Sequence, residues 1–161
     1  MAKISDEMAR MIAELRLCYV ATVTPEGRPN LSPKGSLRVV DGDHLAFADI
    51  MSPQTMRNLK ANPYIEINIV HPFLRRGYRF KGRCDIVTEG ATFELVANEL
   101  WQREGRQYPV NAVVSIEVEA ALPVRSPAYV FNKGVKEEDV RRIWLERYGV
   151  QPLPTSAEKQ P

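Results

Sequence analysis

Residues 29–70 read PNLSPKGSLRVVDGDHLAFADIMSPQTMRNLKANPYIEINIV, and the order of elements in this stretch decides the fold. From Asn30 to Val40 the chain is extended, broken by Pro33 and Gly35, and Asp41-Gly42 supplies the turn into HLAFADI, the next strand. Ser52 then stands at a helix cap with Pro53 at the first helical position; the helix runs from about Pro53 to Ala61, and Asn62-Pro63 ends it. Tyr64 to Val70 alternates apolar with polar residues, the period of a half-buried strand.

The start of that helix admits two readings. Ser followed by Pro is the ordinary way to begin any helix. Gln54 and Thr55, however, place neutral hydrogen-bonding side chains beside the unpaired backbone N–H groups of the first turn, and no Asp or Glu follows to occupy them. That arrangement also suits a phosphate.

Working outward, Met8, Met11, Ile12 and Leu15 recur at helical spacing behind Ser5, which predicts an amphipathic helix over about 5–15. CYVATVT, Cys18 to Thr24, is a strand, and Pro25-Glu26-Gly27-Arg28 is hairpin-turn chemistry. HPFLRRG forms a loop before the strand YRFKGRCDIVTE. Ala91 to Arg103 has helical spacing, Asn111 to Val124 returns to strand, and Lys136 to Tyr148 forms a charged helix anchored by Trp144. The expected fold is mainly β: six strands, mostly antiparallel, closed or nearly closed into a small barrel with flanking helices. Residues 1–148 read as a single domain, and 149–161 as a tail too polar and proline-rich to fold.

Composition excludes several functions. With 22 Lys and Arg against 20 Asp and Glu, the net charge of +2 lacks the basic excess that general nucleic-acid binding requires. MAKISDEMARMIAEL places acidic residues where a signal peptide needs an apolar core, and no window is long and apolar enough to span a bilayer, so the expected location is the cytoplasm. Cys18 and Cys84 lie far apart in apolar strand contexts and read as buried, reduced thiols. Neither His44 nor His71 has a second ligand at metal-binding spacing. No Ser-His-Asp or Cys-His arrangement supports hydrolysis. Arg75, Arg76, Arg79, Lys81 and Arg83 form a basic cluster that reads equally as solvated surface or as the wall of an anion-binding cleft. Tyr78, Phe80, Trp101 and Tyr108 read as core or interface aromatics.

The order of strand, DG turn, strand ending Phe47-Ala48-Asp49, helix from Ser52, Asn-Pro stop and strand resembles the pyridoxamine 5′-phosphate oxidase-like FMN-binding split-barrel family. The likeness is carried by PNLSPKGSLRVVDGDHLAFAD, SPQTMRNLKANP and GYRFKGRCDIV, covers roughly residues 8–124, and is strongest to the short FMN-binding members. The resemblance implies a six-stranded split barrel that forms a homodimer with FMN in each of two clefts between subunits. It places the flavin phosphate at Lys34, Gly35, Ser36 and Arg38, then Asp49, then Ser52, Gln54 and Thr55, with Arg79 reaching the flavin from the partner subunit. The chemistry fits: a dianionic phosphate needs cationic side chains plus oriented N–H and hydroxyl donors, and Lys34, Ser36 and Arg38 alternate so as to share one strand face.

The departures are informative. The vitamin B6 oxidase carries a basic Ser-Arg-Lys run where this chain has Pro53-Gln54-Thr55, and its C-terminal Arg- and Trp-bearing segment has no counterpart in SPAYVFNKGVKEEDVRRIWLERYG. Both differences argue against pyridoxine phosphate as the substrate. Three functions stay open: an FMN-dependent oxidoreductase acting on a small organic molecule at the dimer interface, a non-enzymatic flavin or electron carrier, and a deazaflavin-dependent reductase of the same fold. Under the FMN flavoenzyme reading no side chain has to act as acid or base, and the sequence assigns no catalytic residue.

Overall fold

The structure is a computed structural model that describes residues 3–151. Seven strands form one sheet: β1 (Cys18–Val23), β2 (Pro29–Lys34), β3 (Arg38–Val39), β4 (His44–Asp49), β5 (Tyr64–His71), β6 (Arg76–Val87) and β7 (Ala112–Arg125). The described residues also form five helices: α1 (Asp6–Leu15), α2 (Pro53–Ala61), α3 (Ala91–Glu104), α4 (Ala128–Phe131) and α5 (Glu137–Arg147). The spatial order is β2-β1-β5-β6-β7-β4-β3. The pairs β1–β2, β1–β5, β3–β4 and β4–β7 are antiparallel.

The count of seven strands corrects the expected six. The stretch from Asn30 to Val40 is two strands rather than one interrupted strand, because residues 35–37 leave the ladder and its two halves pair at opposite edges of the sheet. This split explains why the sheet curls. Seven strands laid flat at about 4.8 Å spacing would hold the outer two about 29 Å apart. The chain from Lys34 to Arg38 reaches at most about 14 Å. The sheet must therefore roll until its two edges approach, and residues 35–37 bridge the seam of a half-barrel.

Helices form where capping and apolar spacing agree. Ser5 Oγ accepts a hydrogen bond from the Met8 amide at 3.3 Å, Asp6 and Glu7 occupy the first turn, and Met11 and Ile12 are buried. The barrel interior holds Phe47, Phe80, Leu45, Ile67, Ile69, Ile116 and Val118. β4 is buried on both faces. Leu45 and Phe47 point into the barrel, while Ala46 and Ala48 join Val113, Val96 and Leu100 in a second cluster beneath α3. The small alanines let α3 lie close, and this double burial is why HLAFADI is apolar without alternating. On β6, a Cβ at Gly77 would overlap the Ile69 carbonyl and one at Gly82 the Glu117 carbonyl, so glycine permits the close approach of neighbouring backbones there.

The chain divides into two compact units, the first made of residues up to 70 together with 77–124, the second of 71–76 with those from 125 onward. The first holds the half-barrel. In the second, Arg75 lies 4.1 Å above the Trp144 ring with Arg147 at 4.9 Å, the Tyr129 hydroxyl donates to the Leu74 carbonyl at 2.6 Å, and Arg76 pairs with Glu137 at 2.6 Å. Trp144 thus anchors α5, as its position in the sequence implied. Of the tail expected over 149–161, the Gly149 and Val150 amides bond back to Glu146 and Leu145, and residues from 152 onward lie outside the described residues. No helix among the described residues is long and apolar enough to cross a membrane.

Phe47 is fully buried at the centre of the barrel. Phe47→Ala is expected to cost about 3–5 kcal/mol, seen in urea unfolding as a lower midpoint with an unchanged slope.

Candidate functional site

A cavity of about 510 Å³ opens at the seam of the half-barrel. Its wall is made by the 35–37 link with Lys34 before it, by the end of β4 and the start of α2, and by the C-terminal ends of α1 and α3. The volume is in the range of sites for small organic ligands.

Side-chain bonds hold the link in place. Ser36 Oγ accepts from the Ala48 amide at 3.0 Å, tying residue 36 to β4 across the seam. Arg103, in the last turn of α3, donates from Nη2 to the Gly35 carbonyl at 3.2 Å. At the other rim, buried Asp49 accepts from both the amide and the hydroxyl of Ser52, at 3.1 and 2.8 Å. Ser52 is thereby turned toward Asp49, and its side chain makes no cap bond to α2.

Lys34 is the buried cation of the site. Its Nζ donates to Ser32 Oγ at 2.6 Å and to the Pro33 carbonyl at 3.4 Å, and lies 5.8 Å from the centre of the Phe47 ring. Burial lowers its pKa below the ordinary lysine value of 10.5, an effect that Asp49 and Cys18 partly oppose. Cys18 pairs with Lys34 in the β1–β2 register, and burial pushes its thiol up to about 12, which leaves it unreactive at neutral pH. Cys84 is likewise buried and raised to about 11.

Of the residues expected at the site, Lys34, Gly35, Ser36 and Ser52 line this cavity, and Asp49 supports it through Ser52. The remaining four are placed elsewhere in the chain. Arg38 turns to α3, where it pairs with Glu99 and donates to the Leu95 carbonyl at 3.1 Å. Gln54 bonds Asn58 at 2.7 Å and accepts from Arg57 at 2.5 Å; Asn58 in turn donates to Thr22 at 2.9 Å, so Gln54 belongs to a chain that ties α2 to β1. Thr55 is buried within α2. Arg79 pairs with Glu66 at 3.0 Å on the outward face of the sheet.

Arg16 and Arg103, which the sequence reading missed, and Tyr108, which it marked as a core or interface aromatic, complete the wall. Arg16 ends α1 in the left-handed region, at φ 52°, a conformation the sequence does not announce for arginine. Arg103 and Tyr108 reach the cavity only because α3 docks on the alanine face of β4. Among the described residues no group of three or more His, Cys, Asp or Glu side chains could hold a metal ion.

With this geometry in view, comparison with known proteins fixes the lineage. The family model described as pyridoxamine 5′-phosphate oxidase matches residues 4–133. The chain belongs to this family. HupZ of group A Streptococcus is 35% identical, with 76% of this chain and 95% of that one covered at a TM-score of 0.69. An FMN-binding protein of Syntrophomonas wolfei is 19% identical, with 74% of this chain and 86% of that one covered at a TM-score of 0.67, and shares the fold. An uncharacterised protein of Methanocaldococcus jannaschii is 24% identical over 95 residues, 58% of this chain and 62% of that protein, so the match spans less than two thirds of this curated relative. The matched residues 4–133 take in the whole of the sheet described above.

The pKa of Lys34 predicts a pH dependence of stability. The unfolded chain holds the Lys34 proton more tightly than the folded chain does, so stability rises with pH between the lowered folded value and 10.5. Denaturation of the native chain and of Lys34→Met at a series of alkaline pH values should show the native chain gaining stability relative to the variant as pH rises through that window. A constant difference would contradict the placement of Lys34.

Proposed function

We propose that the chain binds FMN in the seam cavity, works as a homodimer, and transfers electrons or hydride between FMN and a small organic substrate. The observation that carries this reading is the composition of the cavity in a chain of this family: Lys34, Arg16 and Arg103 bring positive charge to a wall that also presents Ser36 and Ser52. A phosphate ester needs cations and oriented donors at one end, and a flavin ring needs apolar wall at the other, which Leu100, Ile50 and Met51 offer. The residues present therefore fit the group. Bound FMN would supply the redox chemistry; the chain would fix the phosphate, orient the ring and exclude water from one side of it.

Dimerisation is supported by exposed apolar residues gathered on one face of the sheet. The β1–β2 and β1–β5 registers align Tyr19, Ala21 and Val23 with Pro29, Leu31 and Pro33 on one side and with Glu66 and Asn68 on the other. Leu31 is 65% exposed and Tyr64, on the same side of β5, 59%. A second copy is the simplest cover for such a face. Arg79, paired with Glu66 there, would then lie between subunits, where it could meet the partner's flavin.

The first test is the visible spectrum of the purified protein with added FMN, before and after reduction. A two-band flavin spectrum that bleaches on reduction is expected. A colourless protein that takes up a deazaflavin instead would replace FMN as the cofactor, and flavin uptake without turnover of any oxidant would favour a carrier. For the assembly, Leu31→Glu should convert a dimer into a monomer in sedimentation experiments; a wild type that sediments as a monomer would refute the dimer.

A further inference from the structure

The dianion of a flavin phosphate needs positive charge, and most cations near the cavity are already engaged. Lys34 directs its ammonium to Ser32 and the Pro33 carbonyl and lies within the field of Asp49. Arg38 is held by Glu99 and by the Leu95 carbonyl. The first turn of α2 carries no cation, since Pro53, Gln54 and Thr55 occupy it and Arg57 is bonded to Gln54. Two guanidinium groups lie on the cavity wall itself, Arg16 and Arg103, the second of them also paired with Glu104.

Of the two, Arg103 is the better organised. Its Nε donates to Glu104 at 2.6 Å and its Nη2 to the Gly35 carbonyl at 3.2 Å, which uses two of the five N–H donors and leaves three for a ligand. The bond to Gly35 fixes the guanidinium beside the link before any ligand arrives, so little side-chain freedom is lost on binding. Glu104 is 45% exposed and can exchange Arg103 for water when an anion enters. Arg16 is exposed at the end of α1, with its Nε donating to the Ala13 carbonyl at 3.3 Å.

We propose that Arg103, seconded by Arg16, selects phosphorylated over unphosphorylated flavin in this cavity, an inference that rests on the FMN reading above. The phosphate-recognising charge then comes from the C-terminal ends of two helices outside the barrel, not from the first turn of α2. Arg103 does so as a direct contact to the ligand, and its bond to Gly35 sets the position from which it acts.

The experiment compares FMN with riboflavin, which share the ring and ribityl chain and differ in the phosphate. Dissociation constants are measured by flavin fluorescence for the wild type, Arg103→Gln and Arg16→Gln, with thermal unfolding as a check on the fold. The wild type should prefer FMN. Arg103→Gln should weaken FMN by roughly 10- to 100-fold and leave riboflavin within about twofold. Arg16→Gln, at an exposed position, should lower the same preference by a smaller factor. An unchanged ratio of FMN to riboflavin affinity in both variants would overturn the proposal. So would a parallel loss of both ligands in Arg103→Gln, because it would mark Arg103 as a support for Gly35 alone. A wild type that binds neither flavin removes the FMN reading, and this inference falls with it.

Discussion

Residues 35–37 impose the constraint on which the structure depends. They join two strands that are consecutive in the chain yet lie at opposite edges of a seven-stranded sheet. A link this short cannot coexist with a flat sheet, so the closure of the barrel, the seam, and the cavity at the seam share one cause. Ser36 and Arg103 then hold the link from two sides, through the Ala48 amide and the Gly35 carbonyl. The cavity is thus a by-product of closure, walled by the backbone that closes it.

Charge around the seam is partitioned by packing. Arg38, next to the link, is matched to Glu99 and the Leu95 carbonyl, while Arg79 and Lys81, on the middle strand β6, are matched to Glu66 away from the seam. Lys34 stays within the wall but is buried, a position that lowers its own affinity for a proton and would be relieved by a nearby anion. Two core cysteines are pushed to high pKa by the same burial and stay as thiols at neutral pH. The cavity wall thus offers charge and hydrogen-bond donors rather than a thiolate nucleophile, which suits the binding role proposed for it.

Much of this was legible in the sequence, and the failures have physical reasons. The DG turn, the Ser-Pro start and the Asn-Pro end bounded β4 and α2 because turn and cap chemistry are local. The division of residues 30–40 into two strands was not legible, because Pro33 and Gly35 mark a break without telling which edge each half will join. Lys34, Gly35, Ser36 and Ser52 could be read because they sit on or beside the link and the helix start. Arg38 could not be followed to Glu99, nor Arg103 to Gly35, because both contacts depend on how α3 docks. Long side chains are placed by tertiary packing, and local sequence says little about where they end.

The two strands that end the sheet carry one more consequence. β3 is only two residues long, and β2 begins with Pro29 and contains Pro33. Proline has no N–H, so both prolines fit β2 only where that group would face away from β1, and of the alternate residues 29, 31 and 33 only Leu31 retains an outward donor. The free rim of the sheet thus offers an incoming strand almost no ladder to extend. Exposed apolar residues such as Leu31 and Tyr19 therefore lie beside an edge that is poorly suited to strand addition, which guards against edge-to-edge growth into fibrils.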